Sequence, residues 1–204
     1  MTGNMLLQKI CAAQNLCNLP KPNVLDLSEN YLEKDGKDAV HKLLDDLNFL
    51  PGMKVLMLPW GDDVKVCLTK LLELLKTMPQ LTKVGLRKWS LTDAQIRILG
   101  SFFEKKHLEN LQHLDLAMNC VRSDGWLSFM HPLICLKKLI FLDFSSKQDW
   151  VPTSLLVCKL SQVLTTQSSL KEIKVTGWTF DSCDLGLING AKVNCQKQFQ
   201  LAHS

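Results

Sequence analysis

The chain has 204 residues, 46% hydrophobic and 22% charged, which is enough to bury a core without disulfide or metal staples. Its net charge of +4 comes from 24 Lys and Arg against 20 Asp and Glu scattered along the sequence, so no charge block marks a nucleic-acid-binding arm. Met1–Asn4 carries no basic residue, and the apolar group Met5, Leu6 and Leu7 is broken by Gln8 and Lys9, so neither a signal peptide nor a membrane span is expected. The eight cysteines lack a regular framework and no Cys-x-x-Cys occurs; they read as small buried hydrophobes of a reduced, cytosolic protein.

In chain order, the first 22 residues offer Leu6, Ile10, Ala13 and Leu16 at helical spacing, predicting a capping helix over 1–22. Six related stretches follow: VLDLSENYL from Val24, VLMLPWGDD from Val55, VGLRKWSL from Val84, HLDLAMNCV from His113, FLDFSSKQD from Phe141 and EIKVTGWTF from Glu172. Their anchors Leu27, Leu58, Leu86, Leu116, Phe144 and Val175 are separated by 31, 28, 30, 28 and 31 positions, the differences of those numbers. That period belongs to a long leucine-rich repeat.

Each unit opens on a short alternation, such as Leu25 and Leu27 or Leu114 and Leu116, which predicts a strand with one buried face. Each then passes through a turn into helical spacing, as in Ala39, Leu43, Leu44 and Leu47 or Ile96, Leu99, Phe102 and Phe103. Thr92 with Asp93 and Ser123 with Asp124 stand where helix caps belong. One unit cannot bury both its strand and its helix, so the units must stack. Strands lie about 4.8 Å apart while helices need about 10 Å, which bends the stack with its sheet inside. The predicted fold is α/β: a ribonuclease-inhibitor-like horseshoe with a parallel sheet on the concave face and helices on the convex face. Six repeats are expected over 23–193 and a polar tail over 194–204.

Asn30 and Asn119 stand three residues past their anchors, where a side-chain amide can satisfy turn backbone; they read as structural. Gly61, Trp89, Lys147 and Trp178 occupy the equivalent places, which breaks an asparagine ladder. The strand positions that face away from the core form a candidate protein-contact surface: Asp26, Met57, Lys83, Arg87, His113, Asp115, Phe141, Asp143 and Lys174, with Trp60 nearby. The five histidines and the paired carboxylates lack metal-site or nucleophile spacing, and no phosphate-binding Gly-x-x-x-x-Gly-Lys is present. No catalytic residue, cofactor or metal is expected.

The runs LDLSENYLEKDG (Leu25–Gly36), LMLPWG (Leu56–Gly61), LTDAQIRILGSFF (Leu91–Phe103), SDGWLSFM (Ser123–Met130), KLSQVL (Lys159–Leu164) and GWTFDSCDL (Gly177–Leu185) resemble the last repeats of the CARD-containing NLR inflammasome adaptors. The resemblance covers about Asn23 to Ala191. It implies an autoinhibitory repeat module in a caspase-1-activating, pyroptotic pathway of innate immunity, here without the CARD and NACHT regions. It further implies protein partners, namely the NACHT region or related NLR proteins, and no nucleic-acid or membrane partner. A stand-alone ribonuclease-inhibitor-like binding horseshoe is the alternative.

Overall fold

The computed structural model describes residues 23–32, 36–48, 50–61, 63–195 and 198–200, with side chains described through Ala191. The capping helix expected over 1–22 lies outside the described residues. The main sheet runs through β1 (Val24–Asp26), β3 (Val55–Met57), β5 (Lys83–Gly85), β6 (His113–Asp115), β7 (Phe141–Asp143), β8 (Glu172–Lys174) and β9 (Gln198–Gln200), all neighbours parallel. A second, two-stranded sheet pairs β2 (Tyr31–Leu32) with β4 (Trp60–Gly61). Between strands come α1 (Gly36–Leu47), a 3-10 turn at Val64–Cys67 leading into α2 (Leu68–Lys76), α3 (Asp93–Glu104), α4 (Ser123–Leu133), α5 (Ser154–Thr166) and α6 (Ser182–Cys195). The arrangement is the leucine-rich-repeat solenoid.

Strand register makes the stacking explicit. Leu25, Leu56, Val84, Leu114, Leu142 and Ile173 are direct partners along one row. The anchors lie just beyond the strands, and five of their amides continue the ladder, from Leu27 to Met57 at 2.8 Å through Phe144 to Lys174 at 3.1 Å. All six anchors are 3% exposed or less. Burial of such a side chain is worth about 1.5–3 kcal/mol, so the row forms a continuous spine.

The helices supply the other wall through Val40, Leu43, Leu44 and Leu47 of α1, or Ile96, Leu99, Phe102 and Phe103 of α3. α3 begins on a capping box, with Gln95 Oε1 accepting from the Thr92 amide at 3.1 Å. α4 departs from expectation, because Ser123 is its first helical residue and its hydroxyl accepts the Thr153 amide of the next unit. Toward the end of the chain, Trp126, Phe144, Trp178 and Trp150 pack in succession with ring centroids 5.2, 5.0 and 4.6 Å apart.

Two expectations need correction. The segment assigned to a polar tail begins inside α6, and Gln198–Gln200 adds a strand to the sheet. Without it β8 would present a bare row of backbone donors and acceptors, and Gln-Phe-Gln has the alternation of the other strands. Among the described cysteines only Cys67 is fully buried, while Cys120, Cys158 and Cys183 are exposed. Burial pushes the Cys67 thiol above its ordinary value, as an inert core thiol requires. Among the described residues no helix is long and apolar enough to cross a membrane.

Candidate protein-contact surface

The concave face is built from three rows of strand residues. The first row in register is Val24, Val55, Lys83, His113, Phe141 and Glu172; the second is Asp26, Met57, Gly85, Asp115, Asp143 and Lys174. A third row, just past the strands, includes Ser28, Arg87, Ala117 and Ser145. Val24, Asp26, Val55, Met57, Lys83, His113, Asp115 and Phe141, with Val84, line a depression of about 380 Å³. Six of the ten candidate contact residues therefore share one concavity.

Aspartates in the second row close the strand ends. Asp26 Oδ1 accepts from the Ser28 amide and hydroxyl at 3.1 and 2.7 Å, Asp115 Oδ1 from the Ala117 amide at 2.9 Å, and Asp143 Oδ1 from the Ser145 amide and hydroxyl at 3.0 and 2.6 Å. The repeated Asp-x-Ser or Asp-x-Ala spacing ties a side chain to the turn two residues on. Their second oxygens are what the surface offers. Arg87 Nη1 lies 3.3 Å from Asp143 Oδ2 and 3.6 Å from Asp115 Oδ2, so one guanidinium serves a buried and a half-buried carboxylate on successive strands. Burial, reinforced by the neighbouring Asp143 charge, holds the Asp115 carboxyl above its ordinary value despite Arg87 and the Ala117 amide.

His113 stacks on Phe141 with centroids 5.7 Å apart, and Lys174 Nζ lies 5.2 Å from the Phe141 ring centroid. His113 Nδ1 is buried without a hydrogen-bond partner. Burial, then the Lys83 charge, lowers the His113 pKa, while Glu172 opposes the shift. The ring therefore presents its neutral form to the depression at neutral pH.

Trp60 stands apart from this surface. Its amide bonds back to Asn30 O at 3.0 Å, where the equivalent Lys88 and Met118 amides bond forward to the next unit, and the chain enters β4, where Trp60 packs on Tyr31 at 4.6 Å under the Lys88 ammonium at 4.0 Å. It belongs to the rim. Gly85 was missed because it offers no side chain, yet it shapes the floor: a Cβ there would sit 2.4 Å from Met57 Cε, so its absence lets the methionine lie across the next strand. Val24, 54% exposed, was also missed, being read as a strand start rather than a surface.

The asparagine ladder is replaced by indoles at two of its four breaks. Asn119 Oδ1 accepts the Leu91 amide at 3.0 Å, and its Nδ2 donates to Leu86 and Leu116 carbonyls at 2.9 and 2.7 Å. Among the described residues, Asn30 Nδ2 donates to Leu27 O at 3.1 Å. At the equivalent places Trp89 Nε1 donates to Pro59 O at 2.9 Å and Trp178 Nε1 to Phe144 O at 3.2 Å, each reaching the preceding unit. An indole thus does there what an amide does elsewhere. Among the described residues no group of three or more metal-capable side chains occurs.

Solved structures with the same architecture include the actin-binding site 2 of leiomodin-1, with a TM-score of 0.60 and 15% identity over 75% of this chain and 87% of that one. A tropomodulin C-terminal domain from Caenorhabditis elegans gives 0.58 and 12% identity over 77% of this chain and 93% of that one. At such identity the likeness concerns the fold alone. In sequence, the chain is 55% identical over 179 residues to the NLR family CARD domain-containing protein 4 of Bos taurus, covering 88% of this chain and 18% of that protein. The Mus musculus protein of that name is 51% identical over 87% of this chain and 17% of its own length, and the Xenopus tropicalis one 37% identical over 88% and 18%. The chain thus spans less than a fifth of these relatives. The family described as the NLRC4 LRR domain matches residues 6–194, and the chain belongs to that family of NLR leucine-rich repeats.

Proposed function

We propose that this chain acts as an autoinhibitory repeat module of a caspase-1-activating, pyroptotic NLR adaptor, holding its NACHT region through the concave face. The observation that carries the reading is the concave depression of about 380 Å³ in a domain of this family. It combines apolar side chains of Val24, Val55 and Met57 with charged Asp26, Lys83 and Asp115, the mixture that a protein contact surface requires. Autoinhibition needs contacts present in the closed state and absent in the open one, and a freed copy of the module competes for them.

The test is to co-express the chain with a repeat-deleted adaptor and measure caspase-1 activation and co-precipitation. The wild-type chain is expected to lower activation and to be recovered with the NACHT region. Met57→Glu together with Phe141→Glu should abolish both effects while circular dichroism stays native. Unchanged activation with no co-precipitation by the wild-type chain sinks the reading. Recovery of a ribonuclease and no NLR protein would instead favour a stand-alone binding horseshoe.

A further inference from the structure

Charges that are dispersed along the sequence are gathered by the fold. All helix-to-strand connections lie on one lateral edge of the arc, because the strands are parallel and in register. From the last helical residue to the next strand, these connections carry Lys54, Lys76, Lys105, Lys106, Lys137, Lys138 and Lys171, all exposed, against Glu104 and Glu109. Among the described residues of this edge, seven cations against two carboxylates leave a surplus of five, more than the +4 of the whole chain.

The opposite edge is mixed, with Asp63, Asp93, Asp124 and Asp149 interspersed with Lys88, Arg122 and Lys147. Helix polarity explains part of this division, since carboxylates favour helix starts and ammonium groups favour helix ends. It accounts for Lys76, which also pairs with Glu73 at 2.6 Å, and for Lys105 and Lys106 beside the end of α3. Lys54, Lys137, Lys138 and Lys171 lie beyond the last helical turn, where that effect has decayed.

Backbone bonds also join this edge from unit to unit. Lys54 O accepts the Thr82 amide, Thr82 O the Gln112 amide, Gln112 O the Ile140 amide and Ile140 O the Lys171 amide, each at 2.8 Å. Lys138 Nζ further bonds Asn110 Oδ1 at 2.7 Å, and Asn110 Nδ2 bonds Pro79 O at 2.9 Å, tying three connections together. Chemistry narrows the partner. The described residues of this edge include no arginine, no exposed aromatic and no large exposed hydrophobic, so nothing there can fork onto a phosphate, stack on a base or insert as an apolar anchor. Compact, hydrated ammonium groups repeated along one edge suit a broad surface of one sign.

Against the expectation of no membrane partner, we propose that this edge docks on the face of an anionic lipid bilayer, with headgroups as counterions and no insertion. None of the proposed concave contact residues lies on this edge, so loss of lipid binding and loss of the concave contact are separately observable. The test is co-sedimentation of the 204-residue chain with vesicles of phosphatidylcholine alone or mixed with phosphatidylserine. Sedimentation with the phosphatidylserine vesicles only is expected, reversed by raised salt because exposed charges are screened. Lys137→Glu, Lys138→Glu and Lys171→Glu combined should weaken it at least about tenfold, with native circular dichroism, whereas Met57→Glu should leave it unchanged. A folded chain that stays in the supernatant, or a triple variant that sediments like wild type, overturns the proposal. So does a triple variant that abolishes self-association by light scattering while the wild type ignores the vesicles, which gives the edge to a second copy.

Discussion

Asn119 is 9% exposed and spends all three of its described hydrogen bonds on backbone groups of two successive units. Asn119→Ala strands those groups and is expected to cost about 2–3 kcal/mol in urea unfolding, since an unsatisfied buried polar group costs about 1–3 kcal/mol. Asn30→Ala, which loses one part-buried bond, should cost about 1 kcal/mol or less. Equal losses would show that the turn, not the amide, sets the stability. Asp115 makes a pH prediction. Its carboxyl is held above the ordinary value in the folded chain, so ionisation opposes folding at neutral pH, and the penalty fades as pH falls through the folded value to the unfolded one. Asp115→Asn can keep the Ala117 bond and should raise the unfolding midpoint at about pH 7, the gain vanishing below about pH 4. A lower midpoint at neutral pH would mean that Arg87 outweighs burial. His113 has the opposite sign. Its neutral form is favoured in the fold, so its contribution is complete above about pH 6.5 and is lost on acidification through the lowered folded pKa, a slope that His113→Phe should remove.

Among the elements, β4 and β5 discriminate between two glycines. A Cβ at Gly61 would lie 2.5 Å from the Leu32 carbonyl oxygen across the β2–β4 pair, and backbone cannot give way cheaply. At Gly85 the obstacle is the flexible end of Met57. Gly61→Ala should therefore cost about 2–3 kcal/mol and Gly85→Ala about 1 kcal/mol or less, both read by chemical unfolding. The reverse order would mean that Met57 is fixed rather than yielding. The same elements show what could be read in advance. A period of 28 to 31 residues placed all six anchors and the alternation placed the concave rows. Trp60 was misplaced because alternation stops at Pro59, and Arg87 was not paired with Asp115 and Asp143 because that contact is diagonal across strands. Gln167 was also hidden: it fills a place held by Leu50, Met78, Leu108 and Leu136 in other units, and its amide donates to the Leu133 and Leu136 carbonyls from 4% exposure. Spacing identifies a buried slot, but it does not reveal that a slot contains unsatisfied carbonyls.

For the molecule as a whole, the end strand tests how far the units depend on their neighbours. Deleting residues 196–204 removes β9 and bares the β8 edge, so thermal unfolding should begin earlier and broaden, with the loss concentrated in the last unit. An unchanged, equally sharp transition would show that β9 contributes nothing to the core. The basic edge escaped the sequence for a whole-molecule reason, because charge was counted along the chain while stacking sorts it by position within the repeat.

Each strand of the main sheet bonds only to the strands beside it, so the order along the sheet is the order along the chain. Tension applied between the two termini would therefore peel strands away sequentially instead of shearing the sheet at once. Each release frees a unit of about 30 residues, or roughly 100 Å of extended chain. Optical tweezers should record a staircase of such lengths at modest force, with the chain rewinding unit by unit as the load is withdrawn.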